Sequence, residues 1–452
     1  MERVQKKLVS GLFWVLLANV LVKPLWLLGI EVGVQNAVGN EAYGFYFAVF
    51  NLSYILNILL DLGITNFNTR NIAQHPQLIG KHLSGILGIK VLLLGLYLVV
   101  TFSVGALLGY DSREFGLLAW LCLAQGLNSL ILYLRSNFEG LLLFRWDSLF
   151  SVLDRVLMIA ICGCLLWGPF RLRPSAFRIE YFVYAQVAAY GLTALLALAV
   201  IGRATHLRRL RFDWRFLVVI LKRSAPFALL VLLMASYNRL DPILLRRLAS
   251  ASAAGVYAGA FRLLDALTMV CYLISVPLLP VFSKILAGRD RLSVRTTLVD
   301  SLRLVVWPVL LYTVGCAVAC ALWAAPLMRL LYHDGAAPYV PVFRVLIFGL
   351  VPIGITYVFG TLLTAGGRLR QLNILAATAL ALNLAANLLL IPRWGAVGSA
   401  WASLAAQSFM AIAQLVLAVR LYRLPTAAFL PPRPHNILHT LTLMIHSKNQ
   451  QL

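Results

Sequence analysis

What most constrains this chain is the recurrence of apolar runs about 20 residues long, the length a helix needs to cross a hydrocarbon core roughly 30 Å thick. They cover 9–30, 43–62, 84–105, 115–134, 148–167, 181–201, 224–245, 254–280, 302–325, 341–363, 371–391 and 397–420. A bilayer offers no water to exposed backbone groups, so runs of this kind must be helices. With 61% hydrophobic and only 12% charged residues, the expected fold is an all-α polytopic membrane protein of about 12 transmembrane helices.

The formal charge is +23, but the cations fall in short clusters between apolar runs and form no single basic face. Nucleic acid is therefore not the expected partner. The positive-inside bias and anionic membrane lipid account for them better. With the N-terminus inside, most of the 39 Lys and Arg residues fall on the cytoplasmic side, which predicts both termini in the cytoplasm. The worst fit is the segment with Arg171, Arg173 and Arg178, which this topology puts outside. The best is "RATHLRRLRFDWRFLVVILKR", 203–223, expected to be a basic interfacial linker between an N-terminal six-helix bundle (1–202) and a C-terminal one (224–421). Residues 422–452 would form a cytoplasmic tail. The opening "MERVQKK" and the apolar run after it pass Lys23 and Pro24 without a clear small-residue cleavage site, so they read as a retained first span.

All six cysteines lie in or beside apolar runs, as small buried hydrophobes would, and suggest neither a disulfide framework nor a metal site. No loop is long enough for a catalytic domain, and the 16 acidic residues are scattered. Walker A, Rossmann glycine and HExxH sequences do not occur. No catalytic residues, metal or cofactor are expected, and the protein reads as something other than an enzyme.

An internal repeat adds to this. "GNEAYGFYFAVFNLSYIL", 39–56, lies over "ASAAGVYAGAFRLLDAL", 251–267, so that Gly44 and Tyr46 meet Gly255 and Tyr257 at a constant offset. The second span then corresponds to the eighth. An even number of spans per half gives a parallel repeat, related by an axis along the membrane normal.

The stretch "AVGNEAYGFYFAVFNLSYILNILLDLGITNFNTRNIA", 37–73, resembles the second-span region of bacterial polysaccharide-unit flippases. "RSAPFALLVLLMASYNRLDPILLRRLASASAAGVYAGAFRLLDAL", 223–267, is similar to their seventh and eighth spans, and "NLAANLLLIPRWGAVGSAWAS", 383–403, to their eleventh-to-twelfth hairpin. The resemblance covers residues 5–421. It implies the multidrug/oligosaccharidyl-lipid/polysaccharide exporter superfamily, with two six-helix bundles forming a V-shaped cleft that opens alternately to each side. Many relatives carry fourteen spans where this chain has twelve, and the tail from Leu424 matches none of the family pattern.

Ionisable side chains within spans cost at least about 2.5–3.5 kcal/mol each, so they normally face a partner or a wet cavity. Here they are Lys23, Asp61, Lys90, Asp154, Arg155, Arg239, Asp241, Arg262, Asp265 and Arg344. One reading is a buried Asp241–Arg262 salt bridge between neighbouring helices, with Asp265 supporting Arg262 at i, i+3. Another, compatible with it, has Lys23, Arg239 and Arg262 lending positive potential to a central cleft, with Asn51, Asn238, Asp241 and Asp265 as supporting or coupling residues. Arg239 and Asp241 cannot share one narrow helix face unless Pro242 distorts the helix. Lys23 could also snorkel outward. Asn51, Asn383 and Asn387 read equally as interhelical hydrogen-bonding residues.

The resemblance implies a flippase that carries polyprenyl-pyrophosphate-linked oligosaccharide from the inner to the outer leaflet of the bacterial cytoplasmic membrane, for O-antigen, capsule or exopolysaccharide synthesis. Arginine suits such a lumen because its planar fork binds phosphate oxygens in pairs and stays charged. A coupling ion, H+ or Na+, and other polysaccharide-assembly proteins are possible partners. Two alternatives are a cation-coupled multidrug exporter of the same superfamily, which would favour carboxylates in the cleft, and a membrane glycosyltransferase or glycan polymerase, which would need a developed outer loop.

Overall fold

Hydropathy alone would draw Leu21–Leu60 and Leu369–Tyr422 as single helices of 40 and 54 residues. Each is instead a hairpin. The first breaks at Gly39 (φ 78°) and the second at Gly395 (φ 53°), conformations open to glycine without steric cost. Tyr43 Oη lies 3.5 Å from Glu31 Oε2, although these residues would stand about 18 Å apart along one continuous helix. Likewise, a Cβ on Gly398 would strike the backbone at Leu390.

The computed structural model describes residues 21–425 except 66–67, 70–71, 73–78, 142, 169–176, 205–213, 276, 289 and 333–334. Among the described residues, nine helices are long and apolar enough to cross a membrane, ten with the bent pair Ala225–Arg239 and Asp241–Leu248 taken as one. Counting each hairpin as two crossings gives the twelve expected. The protein is an all-α multi-pass membrane protein. The start of the predicted first span, Arg171 and Arg173, the centre of the basic linker and the tail from residue 426 lie outside the described residues.

Several helices depart from the bounds of the apolar runs. The fifth crossing is broken into Phe144–Phe150 and Leu153–Leu166, and the ninth begins at Arg291, well before its apolar run. A helix can continue beyond hydrocarbon, where water accepts its polar side chains, so hydropathy marks only its buried part.

The chain forms two compact units: Met1–Arg262 with Leu331–Gly335, and Leu263–Leu330 with Ala336–Leu452. Contacts separate within the eighth crossing, whereas the sequence suggests a division at the basic linker. The seventh crossing and the start of the eighth pack onto the first six. Gly44 and Gly255 explain much of this, because a Cβ on Gly44 would collide with Ala251 and Gly255 backbone, and one on Gly255 with Asn40 backbone. Gln35 Nε2 adds hydrogen bonds to Gly255 O (2.9 Å) and Asn40 Oδ1 (2.8 Å). At the end of Asp241–Leu248, Arg246 and Arg247 pair with Glu114, which also completes the capping box that starts Ser112–Gly140. Arg113 and Arg246 each lie over the Phe45 ring, at 4.8 and 4.5 Å.

The core of this first unit is aromatic. Trp26 stacks on Phe182 at 5.7 Å, Tyr46 meets Phe182 edge-on at 5.4 Å, and Tyr43 packs against Tyr46. In the second unit, small and amide residues join the helices. Ser399 Oγ donates to Asn387 Oδ1 (2.8 Å) across the hairpin, and Gln407 and Gln414 lie against Gly349 and Gly360. The interhelical reading of Asn387 therefore holds.

Candidate functional site

The first unit gathers buried charge around one arginine. Arg262, on the helix Ala251–Ser275, is 4% exposed. Its Nε lies 3.3 Å from Glu31 Oε2, its Nη1 donates to Tyr332 Oη (3.0 Å), and its guanidinium sits 4.8 Å from the centre of the Tyr43 ring. Tyr332 Oη passes a hydrogen bond on to Gly259 O (3.1 Å). Burial raises the Tyr332 phenol above its ordinary pKa despite the nearby Arg262 charge, so it remains a neutral hydroxyl. Nη2 of Arg262 is buried and has no hydrogen-bond partner. Asn36 Nδ2 donates to Leu331 O (2.8 Å), and with Tyr332 this ties Leu331–Gly335 to the first unit.

The expected Asp241–Arg262 bridge does not form, and Asp265 does not take its place. Arg262 pairs with Glu31 instead. Asp241 is fully buried and accepts a 2.6 Å hydrogen bond from Tyr257 Oη. Depth along a helix permitted the Asp241 pairing, but depth says nothing about which face meets which neighbour. Glu31 escaped the charge inventory because it follows the last residue of the first apolar run. The sequence signal near it is Pro24, after which Leu25–Glu31 adopts a π-helix. The i→i+5 turns of that helix change the azimuth of Glu31 from the one a 3.6-residue period predicts.

A second arginine shares this electrostatic setting. Arg155 lies over Trp26 (5.4 Å) and Tyr190 (5.6 Å), with the neighbouring Asp154 carboxylate 3.6 Å from its Nε. Glu31 acts electrostatically on both Arg155 and Arg262. Glu31, at the end of Leu25–Glu31, is thus paired with Arg262 of the eighth crossing and within electrostatic reach of Arg155 of the fifth. Sequence reasoning counted Arg155 as a charge within a span but did not place it among the candidate site residues, since no local pattern links it to Glu31.

The remaining candidates are not among the hydrogen-bond or ion-pair partners of Arg262 or Arg155. Arg239 closes the helix Trp214–Arg239 with its guanidinium over Tyr54 (4.9 Å) and Phe261 (5.6 Å). The helix bends by 44° before Asp241–Leu248, with Pro242 in the first turn of the second piece, so the distortion required of Pro242 is present. Lys23 is half-buried immediately before Pro24. Asn51 and Asn238 hydrogen-bond back to Phe47 O and Met234 O of their own helices. The Asn51 Oδ1 is buried without a partner. Asp265 belongs to the second unit and is half-buried. Arg344 is exposed. Lys90 is satisfied by three acceptors, Leu60 O (2.9 Å), Asp61 Oδ1 (2.9 Å) and Ser129 Oγ (2.8 Å), and fastens three segments together.

Chemically, Arg262 is a desolvated cation with an aromatic backing, a carboxylate partner that is 21% exposed and one unused donor. An anionic group of suitable shape could take the free Nη2 and compete with Glu31 for the rest of the fork.

Comparison with known proteins agrees with this architecture. The model of the family described as "Polysaccharide biosynthesis protein" matches residues 8–286. No curated protein sequence matches the chain. Among solved structures, it is similar to an inward-facing multidrug resistance MATE family transporter of the MOP superfamily (TM-score 0.69, 14% identity, covering 88% of this chain and 94% of that one). The lipid II flippase MurJ in an inward closed conformation is also similar (TM-score 0.66, 14% identity, 95% and 92% covered). So is a MOP superfamily transporter from Pyrococcus furiosus, described as having a binding pocket of reverse polarity that suggests a different function (TM-score 0.64, 15% identity, 93% and 96% covered). These likenesses establish a shared fold, and the family match covers more than half of the sequence: the chain belongs to the polysaccharide biosynthesis protein family and has the fold of MOP superfamily transporters.

Proposed function

We propose that this protein is a flippase for polyprenyl-pyrophosphate-linked oligosaccharide, moving repeat units from the inner to the outer leaflet of the bacterial cytoplasmic membrane for O-antigen, capsule or exopolysaccharide synthesis. The observation that carries this reading is the buried Arg262, whose Nη2 has no partner and whose Nε holds the exchangeable carboxylate of Glu31. A pyrophosphate crossing hydrocarbon needs cations in place of its hydration, and arginine supplies them without losing charge. Arg155, with Trp26 and Tyr190 beneath it, offers a second cation within the field of Glu31. Both termini are cytoplasmic in this proposal, and the two halves alternate in access. Lys23 and Arg239 add positive potential along the path, and Asn51, Asn238, Asp241 and Asp265 shape or couple it.

Glu31 would act as an internal counter-ion. When the pyrophosphate binds, the carboxylate is displaced and takes up a proton or another cation, which gives a route for coupling to H+ or Na+. The experiment is deletion of the gene followed by leaflet-selective labelling of lipid-linked oligosaccharide. Accumulation on the cytoplasmic face, cleared by the wild-type chain but not by Arg262→Gln, is the expected outcome. Normal distribution of that lipid in the deletion strain would refute the proposal.

The second reading is a cation-coupled drug exporter. The specific feature in its favour is the Asp154 carboxylate beside Arg155, whose guanidinium lies over Trp26 and Tyr190, together with a second carboxylate, Glu31, paired with Arg262. Under it, deletion would leave lipid-linked sugars unchanged and sensitise cells to cationic drugs, and Glu31→Gln would reproduce the effect.

A further inference from the structure

The second unit carries a groove that the transport reading leaves unused. It lies between the two arms of the hairpin Leu369–Tyr422, has a volume of about 510 Å³, and has Gln371 and Arg420 among its lining residues. Its walls are apolar, and Ile374, Ile412 and Val416 are 58%, 60% and 42% exposed. Phe409 marks its far extent. From Arg420 to Phe409 the helix rises about 16 Å, close to half of a hydrocarbon core about 30 Å thick.

The polar end is strongly cationic. Arg368 and Arg370 open the hairpin, Arg420 lines the groove and Arg423 follows its last turn; all four are exposed. No Asp or Glu occurs in the sequence after Asp334, and none of the four arginines forms an ion pair with a carboxylate among the described residues. The local chain therefore supplies four cations and no counter-charge beside an apolar channel one leaflet deep.

We propose that this groove is a binding site for an anionic phospholipid, with an acyl chain along Phe409, Ile412 and Val416 and the phosphate held by Arg420 and its neighbouring arginines. The depth favours an acyl chain confined to one leaflet over a polyprenyl chain, which would overrun the Phe409 end. The site is independent of Arg262 and of the flippase reading.

The test uses the full-length protein in nanodiscs of phosphatidylcholine containing increasing phosphatidylglycerol, with bound lipid counted by native mass spectrometry after gentle release. Wild type is expected to retain phosphatidylglycerol at least ten-fold over phosphatidylcholine. Arg420→Gln is expected to remove most of that preference, and Ala413→Trp, which fills the groove and leaves every charge in place, to remove retention of both lipids. Circular dichroism and gel filtration identify any variant that has misfolded, and Val416→Trp then serves in place of Ala413→Trp and Arg370→Gln in place of Arg420→Gln. Equal retention of the two lipids by wild type, or unchanged retention in folded variants, would overturn the proposal. Displacement of the bound phospholipid by equimolar polyprenyl phosphate would also overturn it, by giving the groove to the other kind of chain.

Discussion

Gly44 and Gly255, which the sequence alignment of 39–56 with 251–267 sets at a constant offset, meet in space: each lacks the Cβ that would otherwise strike the backbone of the partner helix. Between apolar helices in a membrane there is no hydrophobic drive to associate, so close backbone approach through small residues supplies dispersion contact instead. Replacing either glycine by Ala should separate the helices and destabilise the first unit by about 1–3 kcal/mol. Because both substitutions disrupt the same contact, the double variant should cost less than the sum of the singles. Thermal unfolding of the detergent-solubilised protein checks this, and strict additivity would mean that the two positions do not share a contact.

The Glu31–Arg262 pair separates structure from transport. Arg262→Gln leaves Glu31 without its cation, a loss of about 3–5 kcal/mol for a buried pair, whereas Glu31→Gln/Arg262→Gln should recover much of that stability. Transport should stay lost in the double variant, since it restores packing but no phosphate-binding cation. Arg262→Lys should also fail, because an ammonium cannot hold Glu31, Tyr332 and the Tyr43 face together. Recovery of transport with recovery of abundance would make the arginine purely structural.

Lys90 is expected to behave in the opposite way. All three of its ammonium donors are taken by Leu60 O, Asp61 and Ser129, so no proton is left for a substrate. Lys90→Met should reduce membrane abundance by leaving Asp61 unpaired, at a cost of about 3 kcal/mol or more, and Lys90→Met/Asp61→Asn should restore part of it. Protein that is abundant yet inactive in the single variant would contradict a structural role.

Arg155 should report on the substrate. Its side chain rests on Trp26 and Tyr190, an arrangement worth about 0.5–2 kcal/mol by cation–π attraction. Arg155→Gln is expected to fold, and to lower transport of lipid-linked oligosaccharide at least ten-fold in a reconstituted leaflet-exchange assay. Trp26→Leu, which keeps the cation and removes its platform, should give a smaller loss.

The Tyr257–Asp241 hydrogen bond should matter for the bend in the seventh crossing. Tyr257→Phe removes the donor to a fully buried carboxylate and should destabilise the protein by about 1–3 kcal/mol, measured as a shift in unfolding temperature. An unchanged transition would mean that Asp241 is satisfied without Tyr257.

By itself the sequence determined that this is a helical membrane protein and where its helices cross, and it aligned Gly44 with Gly255 at a constant offset. Those properties follow from length, hydropathy and local glycine chemistry, all written along one segment at a time. Only the tertiary structure decided which charges meet. Asp241 lies within a span and Glu31 just past the end of one, but a helix that is apolar on all sides has no periodicity to announce the face it turns to a neighbour. The π-helix after Pro24 then moved Glu31 out of the register that a regular helix would give it. The same limit hid Arg155, whose link to Glu31 runs between helices far apart in sequence, and the lipid-deep groove, which exists only because the hairpin at Gly395 lays two arms side by side.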